Sequence, residues 1–519
     1  MMEQKRVRYP IGVQNFEKLR LANMAYVDKT ALVYELATTG TYCFLGRPRR
    51  FGKSLLLSTL EAYFEGKREL FKGLAIEQLE TEWKRYPVLH LDLNAAQYSN
   101  PEHLLNILNT FLTDWEKQFG CEPQENMPST RFAGIIRRAY EQTGSQVVIL
   151  VDEYDKPLAM NVDNEELQDE FRGILKAFYS VMKSSDRYIK FGFLTGVTKF
   201  SKVSVFSDLN NIDDISMWDK YITICGMSEQ EIRDNFDEGM QLLADKNQLS
   251  KDECYAELRR RYDGYHFCEG TIGMYNPYSV INTLNKQKFG DYWFESGTPT
   301  RLIKVLKKMD YNLNQFSEGE ILASQLTSVD SVKANPLSIF YQSGFLTIKN
   351  FDKRFGMYKL GFPNQEVETG FTECLVPLYT NIERNRQQFD AYNFVRELEQ
   401  GQPEAFLTRL SAMMADTDNR IVGKAELYLE NFLFVFFRML GLYVEVERAT
   451  SYGRMDMVVK TQDFIYVIEF KRDQTAEAAL QQIDEKGYAA PFAADPRRLF
   501  KLGINFSTEK RCVNDWKIA

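Results

Sequence analysis

The stretch that decides the fold is Gly46-Arg47-Pro48-Arg49-Arg50-Phe51-Gly52-Lys53-Ser54. It follows an apolar run, Tyr42 to Leu45, that reads as a buried strand. It precedes Leu55 to Leu60, which reads as the start of a helix. A strand, a tight loop ending Gly-Lys-Ser and a helix are the layout of a phosphate-binding loop. Backbone N–H groups at a helix N-terminus point at an anion, and the helix dipole favours it. Gly52 would let the backbone approach phosphates closely, Lys53 would reach the β- and γ-phosphates, and Ser54 would hold Mg2+. The usual spacing, G-x-x-x-x-G-K-[ST], puts a glycine where this chain has Arg47, and Gly46 stands one residue early. Either the loop is longer, or Arg47 replaces the first glycine. The bland alternative is a Gly-Lys-Ser turn on a basic surface loop.

Further along, Val147-Val148-Ile149-Leu150-Val151 ends in Asp152-Glu153. A continuous apolar run of this kind is a parallel strand covered on both faces. In a nucleotide hydrolase the first acid holds Mg2+ and the second polarises the attacking water, which assigns Asp152 and Glu153 their expected roles. A core strand ending in a solvated acidic turn would look the same in isolation; the Gly-Lys-Ser loop upstream favours the functional reading. Pro87 to Leu93, Ile189 to Gly196 and Tyr221 to Cys225 read as further strands, with helices over 101–119, 130–142 and 164–184 between them. Strands alternating with helices imply a parallel α/β sheet. Thr195 or Thr198 ends one strand, where a hydroxyl could sense phosphate or merely cap a helix. Ser228-x-x-Glu231 is a capping box that opens a helix. Arg172 and Arg187 are candidates for an arginine finger that the sequence does not rank.

Tyr26-Val27-Asp28-Lys29-Thr30, Arg47 to Ser54, Asp152-Glu153-Tyr154-Asp155 and Tyr262-Asp263-Gly264-Tyr265-His266-Phe267 occur in order. Asn276-Pro277-Tyr278-Ser279 and Trp293-Phe294-Glu295-Ser296-Gly297 follow. Together they resemble the AAA-ATPase-like family common in bacterial genomes, over roughly residues 5–300. The resemblance implies that the lost first glycine is a family trait. It also implies ATP as the ligand, with Gly46, Arg47, Arg50, Gly52, Lys53, Ser54 and Leu55 around it, Mg2+ on Ser54 and Asp152, and Glu153 as the catalytic acid. The Tyr262–Phe267 motif reads as a packed turn in a helical lid, with His266 a turn or core histidine rather than a ligand.

Residues 301–323 read as a helix, basic at Lys304, Lys307 and Lys308. Pro336 to Leu346 reads as a short helix ending at a glycine, and Thr347 to Leu360 as a hairpin. Helix then hairpin is a winged-helix-like pattern, which serves DNA or protein contacts. Lys349, Lys353, Arg354 and Lys359 on the hairpin equally fit a solvated face.

The last third holds a second constellation. Lys424 to Leu440 reads as a helix with Glu426 and Glu430 on one face, either of them a candidate acid. Asp456 opens one strand, and Phe464 to Lys471 is the next, ending Glu469-Phe470-Lys471. Residues two apart in a strand share a face, so Glu469 and Lys471 project together and a neighbouring strand can bring Asp456 beside them. Two carboxylates and a lysine suit metal-assisted phosphodiester hydrolysis, the acids holding Mg2+ (Mn2+ as the alternative ion) and the lysine orienting water. The spacing D-x12-E-x-K resembles the PD-(D/E)xK nuclease superfamily. Gly453-Arg454-Met455-Asp456, Glu469-Phe470-Lys471 and Ala479-Leu480-Gln481-Gln482-Ile483 through Tyr488 more closely resemble the nuclease-like domain that accompanies this ATPase family. The resemblance implies catalytic Asp456, Glu469 and Lys471, with Glu426, Asp456 and Glu469 on the metal. Some members of that superfamily are non-cleaving.

Bulk properties bound the rest. At 519 residues the chain is long enough for several domains. A net charge of −8 excludes a protein that binds polyanions by its overall charge and leaves only local basic patches for nucleic acid. The N-terminus lacks the apolar core of a signal peptide, and no apolar run reaches the length of a membrane span. A cytoplasmic protein with no membrane partner is therefore expected. Seven cysteines without a C-x-x-C pair and three dispersed histidines argue for free thiols and against zinc.

The expected fold class is α/β. Residues 1–228 would form a P-loop AAA-like ATPase core on a parallel sheet, 229–300 a helical lid, 301–383 a winged-helix-like module and 384–519 an α/β PD-(D/E)xK nuclease-like domain. The expected function is ATP binding and hydrolysis coupled to a Mg2+-dependent nuclease acting on nucleic acid, DNA first, with homo-oligomerisation left open. The alternative is a nucleotide-gated switch or scaffold with an inactive nuclease fold.

Overall fold

Five short runs form the first sheet of the chain in this computed structural model: β1 (Tyr42–Gly46), β2 (Val88–Asp92), β3 (Val147–Asp152), β4 (Ile189–Gly196) and β5 (Asp213–Asp214). All pairings are parallel, in the order β2-β3-β4-β1-β5. Every residue of β3 is buried, as a strand covered on both faces requires. Helices Pro101–Phe119, Pro128–Thr143 and Glu165–Ser184 bury Leu104, Leu108, Leu112, Ile135, Leu175 and Phe178 against the sheet. A parallel sheet lines up the carboxyl ends of its strands, and ligands bind there. Register puts Asp92 beside Asp152 and Gly46 beside Gly196, so the phosphate-loop strand and the acid strand open on one edge.

The structure describes residues 8–95, 97–199, 212–297, 302–303, 306, 311–326, 336–380, 387–415, 425–450, 455–510 and 512–519. It divides into two units. The first comprises Met1–Gly297 with Glu318–Val367, the second Thr298–Ser317 with Glu368–Ala519. Among the described residues no helix is long and apolar enough to cross a membrane.

Two local expectations are corrected. Tyr221 to Cys225 is not a strand: Asp219–Ile224 is a 3-10 helix, and β5 supplies the fifth strand. Tyr221, Ile222 and Ile224 are buried in that tight turn, and a short apolar run looks the same in sequence whether it is a buried strand or a buried turn. The helix read over 301–323 does not run to its end. Glu320–Leu322 is a strand, β6, which pairs with β8 of the hairpin formed by β7 (Thr347–Asp352) and β8 (Met357–Gly361). The positions of Lys304, Lys307 and Lys308 lie outside the described residues. The short helix Pro336–Gln342 precedes the hairpin, and Gly344 turns the chain at φ 86°.

The second unit is built on a mixed sheet of β9 (Glu445–Thr450), β10 (Met455–Lys460), β11 (Phe464–Arg472), β12 (Arg498–Ser507) and β13 (Cys512–Ile518), in the order β13-β12-β11-β10-β9. Only β11 and β12 are parallel, and the helix Ala476–Glu485 makes their crossover. That helix packs Ile483 on Val458, Ile465 and Val467. It lies close because Gly503 on β12 has no side chain: a Cβ there would stand 2.4 Å from the Ala476 carbonyl oxygen and 2.9 Å from the Leu480 nitrogen. Both obstacles are backbone and cannot rotate away. We predict that Gly503→Ala destabilises this unit by about 1–3 kcal/mol, the usual range for overpacking. Its thermal transition, followed by calorimetry, should fall while that of the first unit stays; an unchanged transition would contradict the packing.

Candidate functional site

The phosphate loop leaves β1 with its backbone already fixed. The Gly46 N–H donates to Ser216 Oγ at 2.7 Å, and the Arg47 N–H donates to the Gly196 carbonyl at 3.2 Å. Arg47, at the position of the usual first glycine, has no left-handed φ, so its backbone needs no glycine. Its side chain is only 1% exposed. The guanidinium donates to the carbonyls of Gly46 (2.9 Å), Ser216 (2.7 Å) and Tyr221 (3.3 Å), and lies 4.0 Å above the Phe267 ring. Arg47 is therefore not among the residues lining the nucleotide-sized cavity beside the loop, and neither is Gly46. Burial draws its pKa down, against the pull of Cys225, Tyr341 and Asp214.

The rest of the loop is held in the same way. The Trp293 indole N–H donates to the Arg49 carbonyl at 2.9 Å. Phe51 is buried edge-on against Tyr265 and Phe267, and its carbonyl accepts from the Gly226 N–H at 3.0 Å. Arg50 takes a left-handed φ of 66° and stacks on Tyr278 at 4.8 Å. Gly52, at φ 98°, caps the helix Lys53–Phe64. The motifs at Tyr262–Phe267, Asn276–Ser279 and Trp293–Gly297 thus form the walls of the loop. The sequence reads the first of them as a packed turn in a helical lid and assigns chemistry to none of them. His266 is a turn residue, its Nδ1 3.0 Å from the Thr271 carbonyl.

A cavity of about 380 Å3 opens beside this loop, within the usual size range for small-ligand sites. Arg49, Arg50, Gly52, Lys53, Ser54 and Leu55 line it, as does Glu153. Lys53 Nζ donates to the carbonyls of Arg47 (3.0 Å) and Pro48 (3.3 Å) and pairs with Glu153 at 3.3 Å. Glu153 sits at φ 52°, a left-handed backbone that swings the chain at the end of β3. Burial pushes its carboxyl up, but Lys53, Lys156 and Arg49 outweigh that and hold it below the usual carboxylate range. Asp152 accepts from Thr195 Oγ1 at 2.6 Å, so Thr195 positions the acid and is not a free hydroxyl. Asp155 is fully buried and accepts the N–H groups of Val197 and Thr198; burial and the neighbouring Glu153 raise it to about 7. Away from the phosphate end, Pro10 to Gln14, Val27, Ile224 and Phe236 give an apolar wall that suits a nucleobase. Only Val27, from the Tyr26–Thr30 motif, marks that wall in the sequence. The oxygen donors Ser54 and Asp152 are of the hard type that Mg2+ takes. Neither Arg172 nor Arg187 lines the cavity; Arg172 pairs with Asp169 and Arg187 stacks on Tyr188.

The second constellation lies on β10 and β11. The antiparallel register sets Asp456 directly opposite Glu469, and such positions share a face with Cα atoms about 4.5–5.5 Å apart. Glu469 and Lys471 are buried, and Lys471 Nζ donates to Glu469 Oε1 at 3.1 Å. Gln482 joins them: its amide N–H donates to Glu469 Oε1 and its carbonyl accepts from Lys471. Glu469 Oε2 is buried with no hydrogen-bond partner among the described residues. A buried, unpaired carboxylate oxygen is costly, and a divalent cation satisfies it. Of the two candidate helix acids, Glu430 accepts from Asn312 at 2.9 Å. Glu426 lies in the helix Ala425–Gly441, but its side chain, like that of Asp456, and the residues Gly453 and Arg454 lie outside the described set.

The two constellations coincide with two family matches. Residues 10–206 match a family described as predicted AAA-ATPase, and residues 424–516 match the PD-(D/E)XK nuclease superfamily. The whole chain is also similar to a protein of Azotobacter chroococcum mcd 1 described as "Uncharacterized protein in vnfD 5'region". The two are 35% identical over 520 residues, 98% of each chain.

One buried acid ties the loop walls together. Glu366 accepts from Ser279 Oγ (2.8 Å) and from the Trp293 N–H (2.6 Å), and burial pushes it up to about 8. Its folded pKa is raised above the unfolded 4.5, so its contribution to stability is full below about 4.5 and is lost as pH rises through about 8. We predict that the first unit of wild type loses stability across that window relative to Glu366→Gln, measured by thermal melts at stepped pH. Parallel profiles for the two proteins would contradict it.

Proposed function

The chain belongs to the predicted AAA-ATPase family and joins that domain to a PD-(D/E)XK nuclease-superfamily domain. From this premise we propose that ATP binding and hydrolysis in the first unit control a Mg2+-dependent nuclease in the second, acting on nucleic acid and on DNA first. The observation that carries the reading is the meeting of Lys53, from the loop after β1, with Glu153, from the end of β3, in one basic cavity. A cation for the phosphates and an acid for water are the pair that ATP hydrolysis needs.

In this proposal the N–H groups of Gly52 to Leu55 bind phosphate oxygens at the helix N-terminus, and Lys53 leaves the loop carbonyls for the β- and γ-phosphates. Ser54 and Asp152 hold Mg2+, with Thr195 fixing Asp152. Glu153 orients and polarises the attacking water. Arg50 borders the site, while Gly46 and Arg47 shape the loop from behind. At the second site Glu469 Oε2 and Asp456, with Glu426, hold Mg2+ or Mn2+, and Lys471, steadied by Gln482, orients water against the scissile phosphate. The metal supplies charge neutralisation and a more acidic water. Residues 229–300 act as a lid, 301–383 as a winged-helix-like module and 384–519 as the nuclease-like domain, and the protein works in the cytoplasm. A second reading, a slow nucleotide-gated switch, draws on one observation: neither candidate finger arginine reaches the cavity.

Two outcomes follow. Lys53→Ala should abolish ATP binding by titration calorimetry, and an unchanged titration would sink the loop assignment. Glu469→Ala should lose Mg2+- or Mn2+-dependent DNA cleavage by at least about 100-fold, the order seen when a key electrostatic group is removed, with ATP hydrolysis kept. Wild type that cleaves no single-stranded, duplex or branched DNA, with or without ATP, would favour the switch.

A further inference from the structure

Hydrolysis of ATP moves negative charge onto the transferring phosphoryl group and the leaving oxygen, and an added cation there accounts for a large share of the rate in related reactions. Lys156 lines the cavity together with Asn94 and Glu153. It opens the short helix Lys156–Ala159, and its backbone N–H donates to the Glu153 carbonyl at 2.9 Å. The left-handed turn at Glu153 therefore brings both side chains to the same end of the cavity. Lys156 Nζ donates to Asn94 Oδ1 at 3.0 Å, and the Asn94 N–H donates to Asp92 Oδ1 at 2.8 Å. The ammonium is thus tethered to the carboxyl end of β2, not to the loop. A lysine carries three N–H donors. Asn94 takes one of them, and Lys156 makes no ion pair with Glu153 although its charge acts on that carboxyl.

Three of the other four cations lining the cavity are otherwise committed. Lys29 pairs with Glu231, Lys53 serves the loop carbonyls and Glu153, and Arg50 stacks on Tyr278. Arg49 is exposed on the loop itself. Lys156 stands on the short helix that follows β3 and is held by Asn94, just past the end of β2, beside the acid that would handle water.

We infer that Lys156 is a catalytic residue of the ATPase reaction, donating to the γ-phosphoryl group as it transfers and supplying in cis the charge that an arginine finger supplies elsewhere. The inference rests on the ATPase reading above. In the step, the water oxygen forms a bond to the γ-phosphorus. The bond from that phosphorus to the β–γ bridging oxygen breaks, and its electron pair stays with ADP. The proton of the water passes to Glu153 and from there to solvent, leaving ADP and inorganic phosphate. Lys156 neither gains nor loses a proton; its N–H groups meet charge that grows on the phosphoryl oxygens.

The test uses the full chain as wild type, Lys156→Met and Lys156→Arg, with ATP affinity by calorimetry, kcat and KM, and affinity for ADP with aluminium fluoride. The expected result for Lys156→Met is ATP affinity close to wild type, kcat lowered about 10²–10³-fold, and a matching loss of affinity for the fluoride complex, in line with removal of one transition-state donor. Lys156→Arg should recover part of both. Equal kcat in wild type and Lys156→Met overturns the inference. So does a loss of ATP affinity or melting temperature in step with kcat, which marks a structural role through Asn94. A kcat loss regained at higher pH with fluoride affinity intact also overturns it, since Lys156 would then only tune Glu153. Wild type that binds ATP and does not hydrolyse it removes the ATPase reading itself, a result distinct from the other three.

Discussion

The guanidinium of Arg47 is the contact on which the rest of the first unit turns. A full positive charge is taken out of water one residue after the strand, and such a charge is tolerated only when its donors are answered. Three backbone carbonyls and the face of Phe267 answer it, with Nε left over. Two of those carbonyls belong to Ser216 and Tyr221, beyond the fifth strand. The ring belongs to the Tyr262–Phe267 turn. The charge thus fastens two distant segments behind the loop. A phosphate loop normally gets its shape from glycine, which leaves room; here the shape comes from a large side chain that fills a buried socket and turns the backbone outward. Removing one side of such an arrangement leaves an uncompensated buried charge, the more damaging of the possible changes.

From that anchor the walls of the nucleotide cavity follow. Trp293 holds the Arg49 carbonyl, Tyr278 lies under Arg50, and Glu366 holds both Trp293 and Ser279. The second unit reaches its own site by the opposite device. Gly503 removes a side chain so that the helix Ala476–Glu485 can settle on the sheet, and Gln482 on that helix then bridges Glu469 and Lys471. One site is shaped by a residue that fills space, the other by a residue that leaves it.

Much of this is legible in the amino-acid sequence. Gly52-Lys53-Ser54, Asp152-Glu153 and Glu469-x-Lys471 are short, local patterns set by strand ends and helix starts, and the two-residue period of a strand already put Glu469 with Lys471. What could not be read was contact between distant segments. Nothing local to Arg47 says that it faces Phe267 and not phosphate. Nothing local to Asn94 or Lys156 says that they meet. Tyr221 to Cys225 reads as a strand because its apolar run is buried in a 3-10 turn, and burial alone does not distinguish turn from strand. The cavity wall at Pro10 to Gln14 carries no motif at all, since its place beside the loop is set by contacts between distant segments.

In the function proposed above, nucleotide state in the first unit governs cleavage in the second. The most direct measurement is the rate of metal-dependent DNA cleavage by wild type and by Glu153→Gln, each with and without ATP. Glu153→Gln should bind ATP and hold it unhydrolysed. ATP should change the cleavage rate of wild type, and Glu153→Gln with ATP should stay locked at the ATP-bound rate while wild type returns as ATP is consumed. Cleavage at one rate in all four conditions would contradict it.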